Sequence, residues 1–414
     1  MSQDNALSTV LDNPEPVGKW NYPTAVRFGP GRIQELPDAC GELGIRRPLL
    51  VTDPGLVDLD ITRQAVAILG RAGLDTAVFS DMRPNPVGRD VQAGVATFKA
   101  AGADGVVAFG GGSALDVAKS VAMMVGQTRP LFDFEDRADW YTRIDPDGMV
   151  PLVAVPTTSG TGSEVGRASV ITDETDHTKK IIFHPNMLPG RVVADPALTL
   201  GLPAHLTAWT GIDALSHNLE AWCAPGFHPM ADGIALEGIR LIHRSLARVV
   251  ADGSDIGARA DLMAASLMGA TAFQKGLGGM HALAHPIGAR HDCHHGRTNG
   301  VVMPYVLAWN RAAIAPRIGR LARYLGLPGG DFDAFLGWVL QLRRDLGIPH
   351  TLAELGVPRD DLDALSVAAA ADPSAGGNPT PFDAAAARAV LLRAFHGDVA
   401  GPEGQPAGDA PSIA

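Results

Sequence analysis

The chain has 414 residues, more than one hydrophobic core usually serves, so two domains of ordinary size are expected, and 46% hydrophobic residues suffice to fill both cores. A net charge of −11 disfavours nucleic-acid and anionic-membrane partners, which need a basic patch that releases counterions. Three widely spaced cysteines, Cys40, Cys223 and Cys293, form no CxxC pair; they suit a reducing compartment, and any metal must be held by histidine and carboxylate.

Residues 1–20 show no basic start followed by an apolar core, and no segment of the chain has the apolar length that spans a bilayer, so a cytoplasmic chain with no membrane segment is expected. Residues 1–20 and the Gly- and Pro-rich 401–414 are expected as flexible tails. Between them, residues 21–198 alternate short β-branched runs with Ala-rich segments: PLLVT at 48–52, TAVFS at 76–80, GVVAFG at 105–110 and PLVAVP at 151–156. That alternation predicts βαβ units and a parallel sheet with helices on both faces. From 199 to 400 apolar residues recur at helical spacing without strand-like runs, which predicts an all-helical domain. The boundary is placed in DPALTLGLP, residues 195–203.

Within the first domain, GVVAFGGGSALDVAK sets a strand, three consecutive glycines (Gly110, Gly111, Gly112), Ser113 and then a helix. Glycines let the backbone approach an anion, and free amides at a helix start complete a site suited to a pyrophosphate. A ligand-free tight turn would use the same residues. The fingerprint GxGxxG is absent, which disfavours an ordinary Rossmann dehydrogenase. Asp53, directly after PLLVT, could accept hydrogen bonds from adenosine ribose hydroxyls and repel a 2′-phosphate, favouring NAD over NADP; it also suits a turn in TDPG. PTTSGTGSEV, 156–165, concentrates hydroxyls and glycines after another strand, as a cofactor loop or any polar loop does.

The helical half carries the sharpest pattern. In GIDALSHNLEAW, Asp213 and His217 are four residues apart and project from one helix face. In GGMHALAHPIGARHDCHHGRTNG, His281 and His285 repeat that spacing, Pro286 is expected to end or kink the helix, and His291, His294 and His295 follow in a loop. One carboxylate with several imidazoles suits Fe(II), Zn(II), Mn(II) or Ni(II) rather than an oxygen-only Ca(II) or Mg(II) cage. Spacing alone lets four ligands be drawn from these seven residues in several ways.

The ordered set GGGSALDVAK, PTTSGTGSEV, GIDALSHNLEAW, GGMHALAHPIGA and HHGRTNGVVMPYV resembles the iron-containing alcohol dehydrogenase family, from about Asn21 to about His396. The resemblance implies a dinucleotide-binding α/β domain followed by a helical metal-binding domain (a dehydroquinate synthase-like plan), with NAD in the cleft and a homodimer as the assembly. It implies Asp213, His217, His281 and His295 as ligands of Fe(II), with Zn(II) as the alternative. His285 then matches an additional active-site histidine. Gly111, Gly112 and Ser113 match the pyrophosphate loop, Thr157 and Thr158 a hydroxyl pair near the cofactor, and Asp53 the residue linked to NAD preference. Asn85 resembles a cofactor-side position, and Lys179, with Lys180 as an alternative, a cofactor-contacting lysine. His291 and His294 are imidazoles that many relatives lack, and Ala168 stands where some diol-specific members carry a polar residue.

The expected chemistry is hydride transfer between a primary alcohol and C4 of the nicotinamide, with a Lewis-acidic cation lowering the hydroxyl pKa and His285 relaying the proton. The intact quartet argues against maleylacetate reduction, for which similar proteins lack the full metal set. Two alternatives share the plan: a hydroxyacid–oxoacid transhydrogenase, and a dehydroquinate synthase-like lyase. A sugar-phosphate substrate would need several basic side chains near the ion, and the stretch from His281 to His295 offers only Arg290. A non-catalytic metal or nucleotide sensor would use the same residues for binding alone.

Overall fold

The computed structural model describes residues 22–399 apart from 23 and 177, and the expected tails at 1–20 and 401–414 lie outside the described residues. The first half runs β1 (Ala25–Phe28), α1 (Leu36–Glu42), β2 (Pro48–Val51), α2 (Asp60–Arg71), β3 (Ala77–Phe79), α3 (Gly88–Ala100), β4 (Gly105–Gly110), α4 (Gly112–Met124), β5 (Leu152–Pro156), β6 (Ala168–Asp173), β7 (Thr178–Phe183) and β8 (Arg191–Ala194). Six strands form one parallel sheet in the order β1-β8-β5-β4-β2-β3, while β6 and β7 pair antiparallel as a separate hairpin.

Side chains alternate across the sheet, as a period of two requires. Leu50, Val107, Phe109, Val153, Val155 and Val193 pack on one face beneath α1 and α2, through residues such as Leu36 and Leu69. Leu49, Val51, Val106, Ala108, Ala154 and Val192 pack on the other beneath α3 and α4, through residues such as Val91 and Leu115. Covering both faces explains why β2, β4 and β5 read as continuous apolar runs. All four strands expected from the sequence form, whereas β1, β8 and the hairpin add to them. β1 and β8 are four residues each, too short to show a period.

The sheet order carries a functional consequence. The chain passes from β2 outward to β3 and then returns to β4 on the other side of β2. Ligands of open α/β sheets bind at the carboxyl ends of the strands where the order reverses, here between Asp53 after β2 and Gly110 at the end of β4.

After Ala204 the described residues are helical: α5 (Ala204–Cys223), α6 (Pro229–Ala251), α7 (Ile256–Ala272), α8 (Gly279–His291), α9 (His295–Trp309), α10 (Arg311–Tyr324), α11 (Phe332–Asp345), α12 (Leu352–Leu355), α13 (Leu362–Ala371) and α14 (Ala384–His396). Fifteen of the twenty residues of α5 are buried, as befits a helix enclosed on all sides, here by α6, α7 and α9. Two local expectations need correction. Helix α8 continues through Pro286 to His291, so His291 ends a helix, and His295 opens α9 rather than lying in a loop. The proline forgoes only its own amide hydrogen bond, and the enclosing helices keep the segment wound. Among the described residues no helix is long and apolar enough to cross a membrane.

Candidate active site

The glycine loop joins two neighbouring turns into one cradle. Gly110 has φ of 154°, and a Cβ there would lie 2.7 Å from the Ala114 Cβ and 3.5 Å from an Asp53 carboxylate oxygen, so only glycine lets the strand turn into α4 so tightly. A Cβ on Gly111 would meet Thr158, and one on Gly112 would sit 2.6 Å from Thr161 Cγ2, which places the hydroxyl-rich loop after β5 against the glycines. Gly111 is the N-cap of α4 and supplies no side chain, so the first amides of that helix are free for an anion. Ser113 hydroxyl donates to Pro84 O, tying the helix start to the loop after β3. Thr157 is buried at 3% exposure, and among the described residues its hydroxyl has no hydrogen-bond partner.

Asp53 turns its carboxylate onto the amide of Gly55 at 2.9 Å, and burial raises its pKa against the opposing effect of backbone hydrogen bonds from Gly55 and Leu56. Turn formation and proximity to Gly110 therefore coexist in one residue. Asn85 and Lys179 meet: Lys179 Nζ donates to Asn85 Oδ1 at 3.1 Å, while the Asn85 amide donates to Asp292 on the helical side of the cleft. Asp292 holds a left-handed φ of 51°, unusual for a residue with a side chain. The choice between Lys179 and Lys180 is set by strand alternation. Lys180 points away to pair with Asp173 and Asp176, and Lys179 faces the cleft, where burial lowers its pKa against the fields of Asp116, Asp292 and Asp213.

On the helical side, Asp213 on α5, His281 on α8 and His295 at the start of α9 bring one ligand atom each to within 4.8 Å of one another. Asp213 Oδ1 lies 3.5 Å from His295 Nε2 and 3.9 Å from His281 Nε2. His217, one turn beyond Asp213, stacks on His281 with ring centroids 4.6 Å apart, its Nδ1 3.3 Å from Gly160 O in the hydroxyl-rich loop; it adjoins the group without entering the closest three. The approach of α9 to α5 depends on Gly296, where a Cβ would lie 2.1 Å from Trp209 O and 3.0 Å from the Asp213 Cβ. Burial pushes the His217 imidazole down to about 4, against the attraction of Asp213, and lowers His295 well below its usual value, with His281 and His285 acting in the same direction. Neutral imidazoles offer lone pairs, the state a metal requires. Burial also opposes charge on His281, but Glu220 and Asp213 outweigh it and raise its pKa.

Three partners escaped the sequence patterns. Glu220, two turns from Asp213 on α5, accepts from Met280 N and lies 2.6 Å from His281 Nδ1, which leaves His281 Nε2 facing Asp213. Asp372 lies 2.8 Å from His285 Nδ1, and the His285 ring stacks on His295 at 5.2 Å. Asn299, one turn after His295, reaches Asp213, His281 and His295. Glu220 and Asn299 were visible as same-face residues of the helices that carry Asp213 and His295; Asp372 lies on a segment whose placement local spacing does not reveal. The extra imidazoles go elsewhere: His291 faces Asp361 at 3.3 Å, and His294 packs against Trp209 at 5.0 Å.

The donor chemistry fits a borderline divalent ion: a buried carboxylate and imidazole nitrogens whose far sides are held by Glu220 and Gly160, with none of the oxygen cage that Ca(II) prefers. A glycine cradle at a switch point beside such a cluster is an arrangement suited to a dinucleotide- and metal-dependent oxidoreductase. Residues 23–196 match the family described as iron-containing alcohol dehydrogenase, and residues 207–395 match the C-terminal domain of the same family. A 4-hydroxybutyrate dehydrogenase of Cupriavidus necator is 42% identical over 382 residues, covering 89% of this chain and 98% of its own. The crystal structure of a 1,3-propanediol oxidoreductase superposes with a TM-score of 0.86 at 33% identity, covering 91% of this chain and all of its own. A sulfoacetaldehyde reductase from Bifidobacterium kashiwanohense, solved with NAD+, gives 0.82 at 27% identity, covering 94% of this chain and 100% of its own. The chain belongs to the iron-containing alcohol dehydrogenase family and is an oxidoreductase acting on alcohols.

Proposed function

We propose that this chain catalyses reversible, NAD-linked oxidation of a primary alcohol to its aldehyde at one divalent ion, iron in the first instance, held by Asp213, His217, His281 and His295. The observation that carries this is the meeting of Asp213, His281 and His295 at the cleft that the glycine cradle faces. Held by those residues, the ion would supply Lewis acidity toward the substrate hydroxyl, and bound NAD would supply a hydride acceptor. The chain's own residues do the rest. Gly111, Gly112, Ser113, Thr157 and Thr158 seat the pyrophosphate side of NAD, Asp53 takes the adenosine ribose, and Asn85 with Lys179 borders the cleft. His285 moves the proton: with Nδ1–H donated to Asp372, its Nε2 is the free end.

An ω-hydroxy acid is the first substrate to try, ahead of a simple alcohol or a diol, and the similarity to the 4-hydroxybutyrate dehydrogenase supports that order. The test is NADH absorbance on mixing metal-reconstituted protein, NAD and a panel of 4-hydroxybutyrate, 1,3-propanediol and plain primary alcohols. NADH should form with at least one; no formation with any, and no NADH loss with the matching aldehydes, would leave a sensor as the better account. The same proposal takes the enzyme as a cytoplasmic homodimer, which light scattering checks for the assembly.

Two substitutions probe the assigned roles. Asp53→Gly removes the carboxylate that prefers a free ribose; a charge-assisted hydrogen bond contributes about 1.5–3 kcal/mol, so the kcat/KM preference for NAD over NADP should fall by about tenfold or more. An unchanged preference would remove Asp53 from the ribose site. Asp372→Asn keeps the shape but removes the anion that supports His285, and kcat should fall by about tenfold or more with KM little changed. Equal kcat in the two proteins would mean that the proton leaves by another route.

A further inference from the structure

We infer that Asn299 is a positioning residue of the metal centre, which holds the Asp213 carboxylate oxygen toward His281 and His295. The inference rests on the metal reading above but concerns a residue outside the quartet. Asn299 lies one turn after His295 on α9 and is fully buried. Its Nδ2 is 2.9 Å from Asp213 Oδ1, 3.3 Å from His295 Nε2 and 3.4 Å from His281 Nε2.

Chemistry fixes which way round the amide sits. An ionised carboxylate only accepts hydrogen bonds, and His281 Nε2 is a bare acceptor when its Nδ1–H goes to Glu220. The opposite orientation would set the amide oxygen against the acceptor atoms of Asp213 and His281, so the nitrogen must face them. The cost of that choice is visible: Asn299 Oδ1 is buried and, among the described residues, has no hydrogen-bond partner. A buried carbonyl left without a partner is destabilising, so the contact made by the other end of the amide outweighs that loss. The shortest of the three contacts goes to Asp213, at 3% exposure a carboxylate that little else restrains: among the described residues Asn299 is its one hydrogen-bond donor. The α9 helix therefore delivers both a ligand, His295, and the clamp on a second ligand from α5.

Partners that orient metal ligands are worth about ten- to a hundredfold in metal affinity when removed. Apoprotein prepared by chelation and titrated with Co(II) reports both affinity, by equilibrium dialysis, and ligand geometry, by the visible ligand-field bands. Asn299→Ala and the nearly isosteric Asn299→Leu should each raise the Co(II) dissociation constant about ten- to a hundredfold and shift those bands, with apoprotein circular dichroism unchanged. Affinity unchanged or tighter, with unshifted bands, in either folded variant overturns the assignment, and so does failure of both variants to fold, which would make Asn299 a folding residue. Failure of the unsubstituted chain itself to bind Co(II) would instead overturn the metal reading beneath it.

Discussion

His281→Ala should yield a folded chain that no longer retains a divalent ion and whose turnover falls about a thousandfold or more. The magnitude follows from the several kcal/mol a Lewis-acidic ion contributes to charge stabilisation, each 1.36 kcal/mol being tenfold in rate. His281 is the most embedded member of the cluster, at 1% exposure, and its ring is fixed on one edge by Glu220 and on one face by His217. Removing it leaves only Asp213, His217 and His295 of the proposed ligands and takes away the ring on which His217 stacks. Elemental analysis after dialysis, alongside turnover, checks both halves; full activity in a chelated, metal-free variant would refute the metal role.

The second large effect is expected from a residue with no side chain at all. Gly296→Ala puts a Cβ about where Trp209 O now sits, at 2.1 Å, and within 3.0 Å of the Asp213 Cβ. The backbone of α5 cannot give way as a flexible side chain would, so α9 must move, and overpacking of this kind costs about 1–3 kcal/mol of stability. That displacement carries His295 away from Asp213. Metal affinity should therefore fall together with melting temperature, in a variant that alters neither a ligand nor a charge. A variant with wild-type melting temperature and metal content would show that the α5–α9 contact is looser than the structure has it.

Local periodicity made much of this legible. The runs at 48–52, 105–110 and 151–156 announced β2, β4 and β5 because strands covered on both faces must be apolar throughout, and the run at 76–80 announced the edge strand β3. The Asp213–His217 spacing on α5 was equally plain, since one helical turn fixes it. What the sequence hid was tertiary. Asp372 is 87 positions from the His285 it supports, a distance at which no helical or strand period speaks. Lys179 and its alternative Lys180 take opposite faces of the β6–β7 hairpin, a difference that only the hairpin's placement gives. The cluster of five histidines from 281 to 295 misled in part. Proximity in sequence grouped His291 and His294 with the ligands, but the continued α8 and the start of α9 turn them to Asp361 and Trp209.

The central claim is that a carboxylate and imidazoles from α5, α8 and α9 share one ion beside the cofactor cleft. X-ray absorption of the Zn(II)-reconstituted protein tests it most directly, because the scattering shell identifies the donors and counts them. The account predicts a shell at about 2.0–2.2 Å containing histidine nitrogen with its outer imidazole scattering together with carboxylate oxygen, lost in His281→Ala. An oxygen-only shell without imidazole scattering, or one unchanged by that substitution, would contradict it.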